Sequence, residues 1–371
     1  MRKIAAVLIL VVSSAVLLLA MNQSFINGIK QDRYFDHLAP PALHHHTFYD
    51  RVFVRSDRWR YGDLYGLCYL PQYKFKLEPF RTYPATGKGE SSNKILYVIG
   101  DSYLADKTLG GAFSGFDDVI YLDDRFPFGP ISLDSSKTNF LIMEFAERNL
   151  VDYDLYKTTE QKWTSADLRA GRNFSGARPA ASSDAGLPTT ISERLNKILF
   201  NRDLSRNLEL LLFDDKALSP LKELKAALNY RLFGRLSTEV TVSTDKRRLL
   251  MNATVDTAFR QSAFRAIPNE EIDRLRTSLD RASNYYQAIG FKKVFLAVIP
   301  NPVSLYDSSR MPYNHLLERV ERVNKFPIIS VFNTFKNDPR NLYYRSDTHW
   351  NPDGFDVWIK KANETLLINS H

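Results

Sequence analysis

One cysteine, Cys68, stands in the 371 residues. A chain so poor in thiols has no intrachain disulfide framework and no thiolate-type zinc site, and thiol redox chemistry falls away with them. Clustered charge is also missing. The formal net charge is +8, with Arg2 and Lys3 carrying two of it, and the densest later run is Lys246-Arg247-Arg248. Nucleic-acid binding calls for a basic stripe or a recognisable module, so the spread charge reads as solvated surface and no nucleic-acid partner is expected. Attraction to an acidic polysaccharide or an anionic membrane surface remains open. There is no internal repeat. A mean hydropathy of −0.31 excludes a polytopic membrane protein, and 44% hydrophobic with 13% aromatic residues excludes a disordered chain. What is left is a folded chain with one large core, or a core carrying an inserted region.

The first 21 residues differ from the rest. After Arg2 and Lys3 comes the uncharged run Ile4–Met21, which as a helix extends roughly 27 Å, about the thickness of the bilayer's hydrocarbon. It is apolar on every side, unlike an amphipathic core helix. The positive charges before it hold the N-terminus in the cytoplasm and place the remainder outside. The run ends Leu18-Leu19-Ala20-Met21-Asn22, a poor cleavage site, and no cysteine follows for lipid attachment, so an uncleaved anchor is favoured over a cleaved signal.

Residues 22–90 read as an aromatic, loop-rich juxtamembrane extension, with Pro40-Pro41 and His44-His45-His46. Three adjacent histidines cannot all face one ion from a helix or strand, so no metal site is expected there. From residue 91 to 371 the pattern becomes α/β. Lys94–Gly100, Asp118–Leu122, Asn139–Phe145, Lys293–Pro300 and Pro327–Phe332 are runs of β-formers suited to buried strands of a doubly wound, mainly parallel sheet. Ile272, Leu275, Leu279, Ala282 and Ile289 recur at helical spacing between Asn269 and Gly290. Residues 151–268 exceed a single crossover and are expected as a largely helical insertion, loop-like over 163–188 and helical over 191–236, capping the catalytic edge of the sheet.

Two segments carry candidate chemistry. Gly100-Asp101-Ser102-Tyr103 follows the first strand directly. A serine there exposes its hydroxyl at the sheet's carboxyl edge, and its own N–H faces the same space and can stabilise an oxyanion. Gly-Asp-Ser by itself occurs by chance in roughly one chain in ten of this length, so its position supplies the specificity. The second segment is Asp347-Thr348-His349-Trp350-Asn351-Pro352, entering a terminal helix through Phe355, Trp358, Ile359 and Leu366 that Asn351 would cap. Extended i, i+2 spacing would send Asp347 and His349 to one side, giving an imidazole the carboxylate it needs to hold its tautomer when it takes a serine proton.

Gly-Asp-Ser after strand one, joined to Asp and His before the last helix, resembles the SGNH hydrolase superfamily. The short Asp-x-His followed by Trp, together with an N-terminal membrane segment, is similar to its alginate O-acetyltransferase branch, although Ser102 here precedes Asp347 and His349, the general hydrolase order. The resemblance spans 94–150 and 290–370. It implies Ser102 as nucleophile, His349 as general base and Asp347 as its orienting carboxylate, without metal or cofactor.

Tyr103, Arg148, Asn301 and Trp350 are candidate substrate contacts; Arg148 paired with Glu144 or Glu147, and Asn301 in a turn-forming role, are the alternatives. Gly115 and Gly129 lie where the family's oxyanion glycine is expected. The expected activity is that of a membrane-anchored extracytoplasmic serine O-acyltransferase acting on an envelope or exported polysaccharide, with a membrane-bound acyl-donor protein as a further partner. A carbohydrate or lipid esterase with the same triad is the chemical alternative, and a non-catalytic envelope binding or scaffold protein the alternative of another class.

Overall fold

The computed structural model describes residues 2–22, 25–26, 29, 52–53, 60–81, 83, 92–104, 111–123, 133–153, 204–213, 216–322 and 326–369. The His44–His46 tract, Gly129 and the 163–188 segment lie outside these. In chain order the helices are α1 Arg2–Met21, α2 Asp63–Cys68, α3 Glu147–Leu150, α4 Leu204–Phe213, α5 Ser219–Phe233, α6 Asn269–Ala288, α7 Pro302–Tyr306, α8 Leu316–Glu321, α9 Phe332–Asn337 and α10 Pro352–Asn369. The strands are β1 Lys94–Gly100, β2 Asp118–Asp123, β3 Thr138–Ala146, β4 Val240–Val242, β5 Leu249–Met251, β6 Lys293–Ile299 and β7 Ile328–Ile329.

The chain divides into two compact units. The first comprises Met1–His37, Pro41–Leu77 and Pro179–Leu236; the second comprises Leu38–Pro40, Glu78–Arg178 and Ser237–His371. The division falls inside the 151–268 segment: α4 and α5 belong to the first unit, whereas the antiparallel β4–β5 hairpin belongs to the second.

The second unit is built on a five-stranded sheet of order β2-β1-β3-β6-β7, every pair parallel. β1, β3 and β6 are buried along nearly their whole length, which is why their sequences are continuous apolar runs rather than alternating ones. One core cluster joins Ile95, Tyr97, Leu141, Met143, Leu296 and Val298 of the sheet to Ile272, Leu275, Leu279 and Ala282 of α6. That helix starts at Asn269 as expected and stops before Gly290, whose φ of 119° suits glycine. β7 is shorter than expected from sequence. Only Ile328 and Ile329 pair with β6, and Phe332 opens α9, burying Phe332 and Phe335 on one helical face. Chain order reverses between β1 and β3, and in open parallel sheets the crevice beyond the carboxyl ends at such a point is where ligands bind.

In the first unit, Lys3–Met21 forms a helix long and apolar enough to cross a membrane. Its C-terminal end is built into the fold. Ala20 is buried and its carbonyl accepts a hydrogen bond from the fully buried Asn207 of α4 (3.0 Å). Ile26, Ile29, Phe53 and Leu210 pack as a small cluster beside it.

Candidate active site

Ser102 sits in a tight turn at the carboxyl end of β1, closed by the Leu104 N–H on the Asp101 carbonyl. The residue before the turn has to be small. A Cβ on Gly100 would lie 2.5 Å from Oε2 of Glu144 on the neighbouring β3, and that same oxygen accepts the Asp101 N–H at 3.0 Å. The Asp101 carboxylate then ties the turn together, accepting from the Tyr103 N–H (3.0 Å), the Ala146 N–H (3.3 Å) and the Asn149 side-chain amide (2.8 Å). Asp101 thus anchors the Ser102 turn to the end of β3. Its place in Gly-Asp-Ser marked it in the sequence, but only the fold shows what it holds.

Asp347 and His349 lie on a short loop between Tyr343 and Trp350, which form an isolated antiparallel bridge. The Tyr344 N–H reaches the His349 carbonyl at 3.1 Å and the Asn351 N–H reaches the Leu342 carbonyl at 3.0 Å. Asn351 also caps α10 by accepting the Gly354 N–H at 2.9 Å. The segment is a turn rather than the extended stretch that alternation would require. Asp347 Oδ1 folds back to accept the His349 N–H (2.8 Å) and lies 2.5 Å from Nδ1 of the same residue. Proximity therefore comes from an Asx-type turn, not from strand geometry.

The two loops meet. His349 Nε2 is 2.7 Å from Ser102 Oγ. With Asp347 on the Nδ1 side, the consistent tautomer carries its proton on Nδ1, leaving Nε2 to accept from the serine hydroxyl. Ser102, Asp347 and His349 are all buried, at 4%, 1% and 1% exposure, so water competes little for the relay. The Ser102 N–H has no hydrogen-bond partner among the described residues and is available to a developing oxyanion.

The remaining sequence candidates fall into two groups. Tyr103 and Trp350 are both buried. The Tyr103 hydroxyl donates to the Thr348 carbonyl at 2.5 Å, and its ring lies 4.9 Å from the His349 ring and edge-on to Trp350 at 5.1 Å. Burial pushes its hydroxyl well above the ordinary tyrosine range and keeps it a donor. Trp350 packs on to Phe355 and Trp358 of α10. Both rings pack around the loop that carries Asp347 and His349. Arg148 is half-buried, its guanidinium 5.7 Å from the Tyr103 ring.

Asn301, directly after β6, is 1% exposed, yet its side-chain amide has no hydrogen-bond partner among the described residues. Its register places it at the edge that carries Ser102: Ile99 pairs with Met143 and Met143 with Leu296, and β3 and β6 end level with each other at Ala146 and Ile299, a little beyond the end of β1 at Gly100. Gly115 is at the other end of the sheet, in the turn before β2, exposed and with φ 81°. It supplies a turn, not an oxyanion donor beside Ser102.

Sequence reasoning did not find the role of Glu147, the first residue after β3. It is buried, and its Oε2 accepts the Asn301 N–H and the Ser304 hydroxyl, each at 2.7 Å; the Tyr313 hydroxyl donates to Oε1 at 3.2 Å. Burial raises its carboxyl to about 7 against those three donors. The available signal was an acid placed where an apolar strand ends, which needs partners from another element if it is buried. No protein-family model, no curated protein and no solved structure matches this chain.

Proposed function

We propose that the protein is a membrane-anchored serine O-acyltransferase of the SGNH hydrolase type, with a doubly wound sheet, that carries acyl groups, acetyl above all, to hydroxyls of an extracytoplasmic polysaccharide. The observation that carries the reading is the continuous relay from Ser102 Oγ through His349 to Asp347, 2.7 Å and 2.5 Å long. Such a relay serves nucleophilic catalysis. The Ser102 hydroxyl adds to an ester carbonyl while its proton passes to His349 Nε2, and Asp347 stabilises the imidazolium. The Ser102 N–H and the Asn301 amide are the donors available to the oxyanion. Collapse expels the donor alcohol, which takes the proton from Nε2. A sugar hydroxyl then gives its proton to His349 as it attacks the acyl-serine, and collapse breaks the acyl–Oγ bond while Nε2 returns that proton to Ser102 Oγ, releasing the acylated sugar and the free serine. Arg148 is the candidate to contact an oxygen of the acyl or sugar group.

Anchoring is supported by the packing of Ala20 against Asn207, since cleavage after Ala20 would cut through it. The extracytoplasmic side follows from Arg2 and Lys3 before the apolar run. The same triad with water as acceptor is an esterase, so the acceptor decides between the two. The test is mass spectrometry after incubation with an activated acetyl ester and a panel of oligosaccharides. Acetylated sugar, formed faster than free acetate and lost in Ser102→Ala, is expected; fast acetate release without acetylated sugar assigns the chain to the esterases. Absence of fluorophosphonate labelling at Ser102 in the folded protein would remove both.

A further inference from the structure

The helix α5 in the first unit has two unlike faces. On one, Glu223 accepts from the Tyr65 hydroxyl at 2.5 Å and from Lys74 at 2.7 Å, which docks the helix on the 61–74 segment of the same unit. On the other, Leu221, Leu224, Leu228 and Leu232 are 61%, 57%, 48% and 68% exposed. At 3.6 residues per turn these four leucines fall within roughly 80° of one another. Lys225 and Arg231 lie within roughly 20° of the two edges of that stripe. Both are exposed and make no ion pair among the described residues. Leu212 and Phe213 at the end of α4 and Phe233 at the end of α5, off the stripe, are also exposed, with the Arg235 guanidinium 5.7 Å from the Phe233 ring.

A leucine stripe left open to water on a folded unit calls for an occupant. Two features identify it. First, the stripe belongs to the unit that contains α1, and α4, immediately before α5, packs against α1 where the apolar run ends. The unit is therefore held where that run would leave a bilayer. Second, the cations border the leucines on both sides, the arrangement in which long basic side chains reach headgroups while the apolar face enters the acyl boundary. We propose that α5 lies in the membrane interface, its leucine stripe in the upper acyl region and Lys225 and Arg231 against anionic lipid headgroups. The membrane is then contacted twice, once by the spanning helix and once by a helix lying along its surface, which keeps the first unit against the bilayer.

The experiment uses the full chain reconstituted in vesicles of phosphatidylethanolamine and phosphatidylglycerol. Cys68 is buried, so the unsubstituted protein measures background labelling. An environment-sensitive fluorophore is placed at Leu224→Cys, Leu228→Cys and, as a water-exposed reference, Lys360→Cys. At an interfacial depth of roughly 5–10 Å, lipids with a nitroxide at the top of the acyl chain should quench positions 224 and 228 several-fold more than 360, and aqueous iodide several-fold less. The double change Lys225→Glu, Arg231→Glu should reduce that contrast. Iodide quenching at 224 and 228 equal to that at 360, without nitroxide quenching, would overturn the proposal. Protection from both quenchers would also overturn it, assigning the stripe to a protein partner, or to a second copy if dilution in the vesicles restores iodide access.

Discussion

The hydroxyl of Tyr103, the residue after the candidate nucleophile, donates to the carbonyl of Thr348, the residue between Asp347 and His349, at 2.5 Å. The two halves of the relay, 247 positions apart in the chain, are therefore fastened to each other by a bond that takes no part in the chemistry. Tyr103→Phe leaves the buried Thr348 carbonyl without that donor, at a cost of about 1–3 kcal/mol. The thermal midpoint should fall and the labelling rate of Ser102 by a fluorophosphonate should drop, while the labelled site stays the same. An unchanged rate would mean that the bond does not hold the loop.

For the relay itself, Ser102→Ala and His349→Ala should each remove turnover of an acetyl ester by several orders of magnitude, and Asp347→Asn by roughly 10⁴, because the members act as a unit. Circular dichroism should show each variant folded. A Ser102→Ala enzyme with near-normal turnover would rule out the acyl-serine route.

Glu147 gives stability a pH dependence of defined sign. Its folded-state carboxyl titrates at about 7, above its ordinary 4.5, so the folded state binds more protons than the unfolded chain between those values, and stability falls as pH rises through that window. The contribution is on the order of 3 kcal/mol. Glu147→Gln keeps an acceptor for the Asn301 N–H but cannot ionise. Denaturant midpoints of the wild type should decline from about pH 5 to about pH 7 relative to those of the variant. Parallel profiles would show that Glu147 stays ionised throughout.

Gly354 is held close to the loop that carries Asp347 and His349. A Cβ there would lie 2.1 Å from the Leu342 carbonyl oxygen and 2.8 Å from the Trp350 Cβ. Both are backbone-level contacts that cannot swing aside, so Gly354→Ala should push α10 and the 342–350 loop apart, costing about 1–3 kcal/mol. Turnover should fall more than the loss of folded protein accounts for. Wild-type kinetics in Gly354→Ala would show that the loop tolerates the displacement.

On topology, a reporter fused after His371 should be active outside the cytoplasm, and protein purified from membranes should retain residues 1–21. An N-terminus beginning shortly after Ala20 would identify a signal sequence instead.

Residue type, order and local pattern made β1, β3, β6 and α6 legible, because a strand buried on both faces must be apolar throughout and a half-buried helix must repeat its apolar positions. That Ser102, Asp347 and His349 stand out in the chain has a related reason: the proposed chemistry calls for those side chains, and each lies beside a readable element end; that they meet is shown by the fold. Contact across the chain decided the rest. Pro327–Phe332 looks like a strand until packing assigns Phe332 to a helix with Phe335. Asp347 and His349 look paired by alternation, yet a turn pairs them. Glu147 and Asn301, 154 positions apart, show no mutual signal in the chain. They meet because β3 and β6 run parallel and end level, and a buried carboxylate there has only its neighbours to replace water. Pattern along a chain records which face is covered; which residues do the covering is settled only when the elements assemble.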